Sequence, residues 1–116
     1  RFAMAVERFD CYAAFWPFYL REHSKRATRR LHFFGTSGAI GFAGHGLCNR
    51  RPSSFLKALL FGYGCAWVSH CFVEKNRPAT LRYPLWSFVS DFRMLWLWLR
   101  GGLDAELRVA GVASEH

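Results

Sequence analysis

The feature that most limits this fold is residues 31–48, eighteen consecutive positions without Asp, Glu, Lys or Arg. As a helix they extend about 27 Å at 1.5 Å per residue, close to the ~30 Å hydrocarbon thickness of a bilayer. A polar stretch, Asn-Arg-Arg-Pro-Ser-Ser, follows at 49–54. The second apolar run, 55–74, is interrupted by Lys57 near its start and by His70 and Glu74 near its end. Pro52 ends one helix and the serines suit the start of the next. The pair therefore reads as a hairpin of two transmembrane helices, with Lys57 close enough to its end to snorkel toward water.

Composition supports a membrane and argues against nucleic acid. The 116 residues are 52% hydrophobic and 18% aromatic, yet carry sixteen Lys+Arg against eight Asp+Glu, a net charge of +8. Apolar segments facing lipid and basic flanks meeting anionic headgroups account for both halves, whereas no nucleic-acid recognition motif accompanies the charge. The length allows a single domain. Cys11, Cys48, Cys65 and Cys71 form no CxxC pair and no zinc-finger spacing, and are expected to be buried free thiols.

The rest of the chain reads as helix as well. Val6, Phe9, Tyr12, Ala13, Trp16 and Tyr19 recur at three- and four-residue spacing, which predicts an interfacial amphipathic helix over 6–22 that Pro17 should kink or interrupt. The basic segment 23–30 is expected to be a connector at the membrane surface. Gly35, Gly38, Gly41 and Gly44 recur every third residue and predict a bare helix side suited to close packing. Residues 84–100, with Trp86, Trp96 and Trp98 around Asp91 and Arg93, predict an interfacial or re-entrant helix, and 103–116 a polar tail. The expectation is an all-α integral membrane domain. Basic residues crowd the open ends of the hairpin (Lys25, Arg26, Arg29, Arg30, Lys75, Arg77, Arg82) more than its turn (Arg50, Arg51, Lys57), which puts both termini in the cytoplasm.

Antiparallel spans bring distant residues to one membrane face. His32 begins the first span and His70 ends the second, so both lie at the same depth; His23 precedes them on the connector and Glu74 follows. On a continuing helix His70 and Glu74, four apart, share a face. Imidazoles with a carboxylate suit a first-row ion such as Fe(II), and an incomplete ligand set leaves room for oxygen and substrate. Polar groups at membrane depth are costly and tend to be functional, so His23, His32, His70 and Glu74 form the candidate metal site. His45 lies at the opposite end and is excluded. Lys75 and Arg77 place two cations beside the site, suited to a carboxylate or a lipid phosphate, Arg77 with the better bidentate geometry.

Several of these residues fall in recognisable motifs. Phe18-Tyr19-x-x-x-His23, Arg29-Arg30-Leu31-His32-Phe33-x-Gly35-Thr36, Gly62-Tyr63-Gly64-x-Ala66-Trp67-x-x-His70-x-x-x-Glu74-Lys75-x-Arg77-Pro78-Ala79, Tyr83-Pro84-Leu85-Trp86-Ser87 and Asp91-Phe92-Arg93-Met94 resemble the short members of the family containing the fungal endoplasmic-reticulum 2-hydroxy fatty acid dioxygenase. The resemblance covers roughly 15–102 of the chain. It departs from the short members after the first histidine, where Lys25 and Arg26 replace their Asn-Pro.

The resemblance implies an iron(II)-dependent dioxygenase that shortens 2-hydroxy fatty acids by one carbon, the α-oxidation step of phytosphingosine breakdown. It maps the metal-binding histidines onto His23, His32 and His70, with Glu74 in the His-x-x-x-Glu element; the cations beside the site, Lys75 or Arg77, are expected to steer the substrate carboxylate. Implied partners are the lipid bilayer, a 2-hydroxy fatty acid and O2. The implied location is the endoplasmic reticulum membrane in a eukaryote or the inner membrane in a bacterium. The rival expectation is a non-enzymatic membrane module that binds anionic lipid or a partner helix through its basic collar and its Trp-rich third helical stretch.

Overall fold

The computed structural model describes residues 9–77 and 82–112, and all its regular structure is helical. The order is α1 (Tyr12–Arg21), α2 (Arg26–Asn49), α3 (Pro52–Val68), which runs on as a π-helix over Ser69–Glu74, then α4 (Pro84–Arg100) and α5 (Leu103–Ala110). α2 and α3 are the long antiparallel pair expected from the apolar runs. Arg50 turns the chain in the left-handed region at φ 51°, Arg51 donates its N–H to Gly46 O at 2.9 Å, and Pro52 opens α3 at its first position, where a missing N–H costs nothing.

Shape, not burial, joins the two helices. A Cβ on Gly35 would lie 2.7 Å from the Cys65 Cβ, which leaves room only for hydrogen, and one on Gly38 would lie 2.2 Å from the Phe61 ring, which would have to move aside. Gly41 and Gly44 meet nothing within 4 Å, contrary to a single bare stripe. The reason is angular: at 100° per residue, a three-residue repeat drifts about 60° around the helix at each step.

Only Ser54, Ala58 and Ala66 of α3 are buried, while Leu56, Leu60 and Phe72 stand out from it. The continuous helix Pro52–Glu74 is long and apolar enough to cross a membrane. Among the described residues it alone reaches that hydropathy; α2 falls short because glycines and two histidines dilute its apolar run, so the expected pair of spans reduces here to one.

The remaining helices build a separate aromatic block. Phe15, Trp16, Tyr19 and Leu20 of α1 pack with Met94 and Leu95 of α4 and with Leu103, Leu107 and Ala110 of α5. The Trp16 indole donates to Glu106 at 2.8 Å, and the Arg93 guanidinium lies 4.1 Å over the same ring. Phe33 stacks on Trp98 at 4.6 Å and ties α2 to this block.

Several boundaries differ from expectation. α1 covers 12–21 of the expected 6–22, positions 6–8 lying outside the described residues, and continues through Pro17 because the flanking aromatics are held by tertiary packing that outweighs the lost bond. α2 starts at Arg26, inside the expected connector. The expected tail contains α5, whose Leu103, Leu107 and Ala110 share one face and are buried; beyond 112 lie no described residues. Gly101 at φ 82° and Gly111 at φ 88° end α4 and α5, the left-handed termination that glycine favours. α4 occupies the expected 84–100. Cys11, Cys48 and Cys71 are exposed instead of buried: Cys48 and Cys71 lie on the hairpin, which hides few of its own side chains, and Cys11 stands at the open start of α1.

Candidate metal centre

His23, His32 and His70 meet at the seam between the hairpin and the aromatic block, all three buried. The short bend after α1 carries His23, the first turns of α2 carry His32, and the π-helix carries His70. Their ring centroids lie 4.3, 4.6 and 5.0 Å apart, and one ligand nitrogen from each falls within 4.8 Å of the others. The antiparallel hairpin therefore does bring positions 32 and 70 together.

The outer nitrogen of every ring is engaged. His23 Nδ1 lies 2.6 Å from Tyr19 O, His32 Nδ1 lies 3.1 Å from Thr28 O and from the Ser69 hydroxyl, and His70 Nδ1 lies 2.6 Å from Asn76 Oδ1. Carbonyl oxygens only accept, so each Nδ1 carries the proton and each neutral ring keeps its lone pair on Nε2. His23 Nε2 and His32 Nε2 then face one another at 3.0 Å, lone pair to lone pair. Protonation does not relieve this readily: burial first, then the neighbouring His32 and His70, hold His23 well below the usual imidazole range. A cation shared by the inner nitrogens does relieve it, and outer-nitrogen bonds of this kind are what orient metal-ligating histidines. The donor set fits a first-row metal ion.

The cavity inside the triad is small, about 10 Å³, room for one ion or water. Tyr19, Ser87 and Asp91 complete its lining. The Tyr19 ring stacks on His23 at 4.1 Å and its hydroxyl donates to Asp91. Burial pushes the Asp91 carboxyl up to about 7, against the lowering effect of that hydrogen bond. Ser87 Oγ is buried and has no hydrogen-bond partner among the described residues. The sequence signal for this lining is weak: Ser87 and Asp91 lie four apart on one face of α4, beside other polar positions of the same helix.

Glu74 lies elsewhere in the arrangement. Its carboxylate accepts from the Ser24 hydroxyl, from Lys25 N at 2.9 Å and from Thr28 Oγ1 at 2.7 Å, so it clasps the first turn of α2, where an acidic group is favoured by the helix dipole. It is not among the converging ligand atoms. His70 points into the triad, while Glu74, the last residue of the π-helix, reaches the start of α2 instead. Asn76 joins the same clasp, donating to Glu22 O at 3.1 Å while holding His70. Lys75, in the left-handed conformation at φ 60°, and Arg77 are exposed on the turn beyond the π-helix. Pro78 and Ala79 lie outside the described residues. His45 bonds Ser54 at 3.0 Å across the hairpin turn, far from the triad in sequence and space.

A second, larger hollow opens beside the triad. An apolar groove of about 680 Å³ runs between α2 and α3 and has His32 and Asp91 in its wall. No curated protein and no solved structure matches the chain. A family model described as 2-hydroxy-palmitic acid dioxygenase Mpo1-like matches residues 9–103. That span holds all three histidines and the helices that bring them together, and the chain belongs to the 2-hydroxy-palmitic acid dioxygenase Mpo1-like family.

Proposed function

We propose that this chain is an integral membrane, iron(II)-dependent dioxygenase-like enzyme that shortens 2-hydroxy fatty acids by one carbon. The observation that carries the reading is the buried convergence of three imidazoles whose outer nitrogens are all pinned. His23, His32 and His70 would hold the ion, and bound Fe(II) supplies the redox chemistry with O2 that the side chains lack. Asn76 and Ser69 fix the ring orientations of His70 and His32. Glu74 positions the site through the connector it clasps, and Lys75 or Arg77 steers the substrate carboxylate from the exposed turn. The rival lipid-binding module gives the buried triad no role.

In this reading α2 accompanies α3 across the bilayer as the first of two spans, both termini lie in the cytoplasm, and α4 rests at the interface. The membrane is the endoplasmic reticulum in a eukaryote or the inner membrane in a bacterium. The test is metal analysis of detergent-purified protein together with O2-dependent loss of 2-hydroxypalmitate. Stoichiometric iron that disappears in His70→Ala, with a one-carbon-shorter product from wild type, is the expected result. A well-folded wild type that takes up no iron overturns it.

A further inference from the structure

We propose that the groove between α2 and α3 is the acyl-chain site, and that Gly44 sets the chain length it accepts. The inference rests on the function proposed above, because it deepens the substrate assignment of that same site. The groove is lined by single faces of both helices: His32, Thr36, Ala43 and Leu47 follow one stripe of α2, and Phe55 and Leu59 one stripe of α3. Apart from Tyr63, its polar side chains gather at one end. His32, Thr36 and Asp91 stand at the end beside the triad, whereas Leu47 and Phe55 form the far end, an arrangement complementary to a single-tailed amphiphile with its polar end at the metal centre. Ser87, four residues before Asp91, presents a buried and unpartnered hydroxyl at that same end.

The dimensions agree with a long chain. From His32 to Leu47 the axis of α2 covers about 22 Å, more than the ~15 Å that one leaflet's chains occupy, and the volume lies within the usual range for ligand pockets. Ile40, Leu47 and Leu59 in the wall are about half exposed or more, so the groove is open along its side. A chain can enter it laterally from the bilayer.

Gly44 lies about 18 Å along the helix from His32, in the groove wall. Helix packing does not require a glycine there, since an added Cβ meets nothing within 4 Å; what a side chain would occupy is the groove. Gly41 has the same open surroundings but is not in the groove wall, which makes it a matched control.

The experiment measures anaerobic binding of 2-hydroxydecanoate, 2-hydroxypalmitate and 2-hydroxystearate to iron-loaded protein in nanodiscs, by competition with a fluorescent fatty acid. Gly44→Phe is expected to weaken the two longer acids by about 5- to 150-fold, the range that steric overpacking gives, while leaving 2-hydroxydecanoate unchanged because it stops short of the added ring; Gly41→Phe is expected to change none of them. As a check that needs no variant, an analogue of 2-hydroxypalmitate with a diazirine at its chain end should label wild type between positions 43 and 59, and unlabelled acid should suppress it. A wild type that binds none of the acids, an unchanged length profile in Gly44→Phe, or suppressible labelling confined to other segments overturns the proposal. Length-dependent binding without O2-dependent turnover would leave the groove standing and remove the enzyme reading; turnover with a profile indifferent to Gly44 would do the reverse.

Discussion

The hairpin and the aromatic block solve the problem of burial in opposite ways. α2 and α3 meet through glycines and small residues and turn Phe34, Leu47, Leu56 and Leu60 outward, whereas α1 and α4 turn Phe15, Tyr19, Leu20 and Met94 inward until they are essentially inaccessible. Outward apolar surface of that extent is tolerable where lipid is the solvent, since burial then brings no hydrophobic gain and close fit holds helices together. The block holds together as a water-soluble core does, by removing apolar area from solvent. The histidines sit where the two meet, His23 from the block and His32 and His70 from the hairpin. Such a seam gives the site rigid walls on both sides and an apolar approach from one.

The contrast can be broken most severely in the block. Phe15→Ala removes a fully buried ring and should cost about 3–5 kcal/mol, seen as early loss of near-ultraviolet dichroism on heating in detergent, while the α2–α3 pair keeps its helical signal. Simultaneous loss of both signals would show that the two regions unfold as one. In the hairpin, Gly35→Val forces a methyl against Cys65 and the Gly62 carbonyl and should cost about 1–3 kcal/mol through overpacking; the melting temperature measures it, and an unchanged value would mean the helices are not in contact there.

At the seam, Asn76→Ala frees His70 Nδ1 and cuts the tie to Glu22. Metal affinity should fall about 10–100-fold, read by competition with a chelator, with little change in melting temperature. A pH dependence is expected as well. Asp91 titrates ordinarily at 3.8 and here at about 7, so between those values the folded chain keeps a proton that the unfolded chain has released. Stability should therefore fall as pH rises from about 4 to about 7 and level off above. Asp91→Asn should flatten that slope, and a slope indifferent to the substitution would place its origin elsewhere.

The legible part of the site was the part encoded by topology. An apolar run, a turn and a second run imply antiparallel helices, and that alone brings His32 next to His70; His23 follows because its connector is short. What stayed hidden depended on local geometry. Glu74 reads as a ligand from its four-residue spacing to His70, but in the folded chain its carboxylate meets Ser24 and Thr28 at the start of α2, a partnership that spacing does not state. Ser87 and Asp91 face the cavity only because α4 folds back over α1 and α2, a placement no periodicity states. α5 is not legible as a helix because eight residues with three buried positions are too short a pattern to separate from a polar tail.

The order of apolar and charged residues was enough to determine helices, their approximate ends, a hairpin and the three imidazoles it collects, since burial preference and chain connectivity act along the sequence. The tertiary structure alone decided which glycines touch a neighbour, which carboxylate faces the cavity and where a chain-sized groove remains. Those outcomes depend on the angle at which packed surfaces meet, and a rotation of a few tens of degrees about a helix axis redirects a side chain without altering its hydropathy pattern.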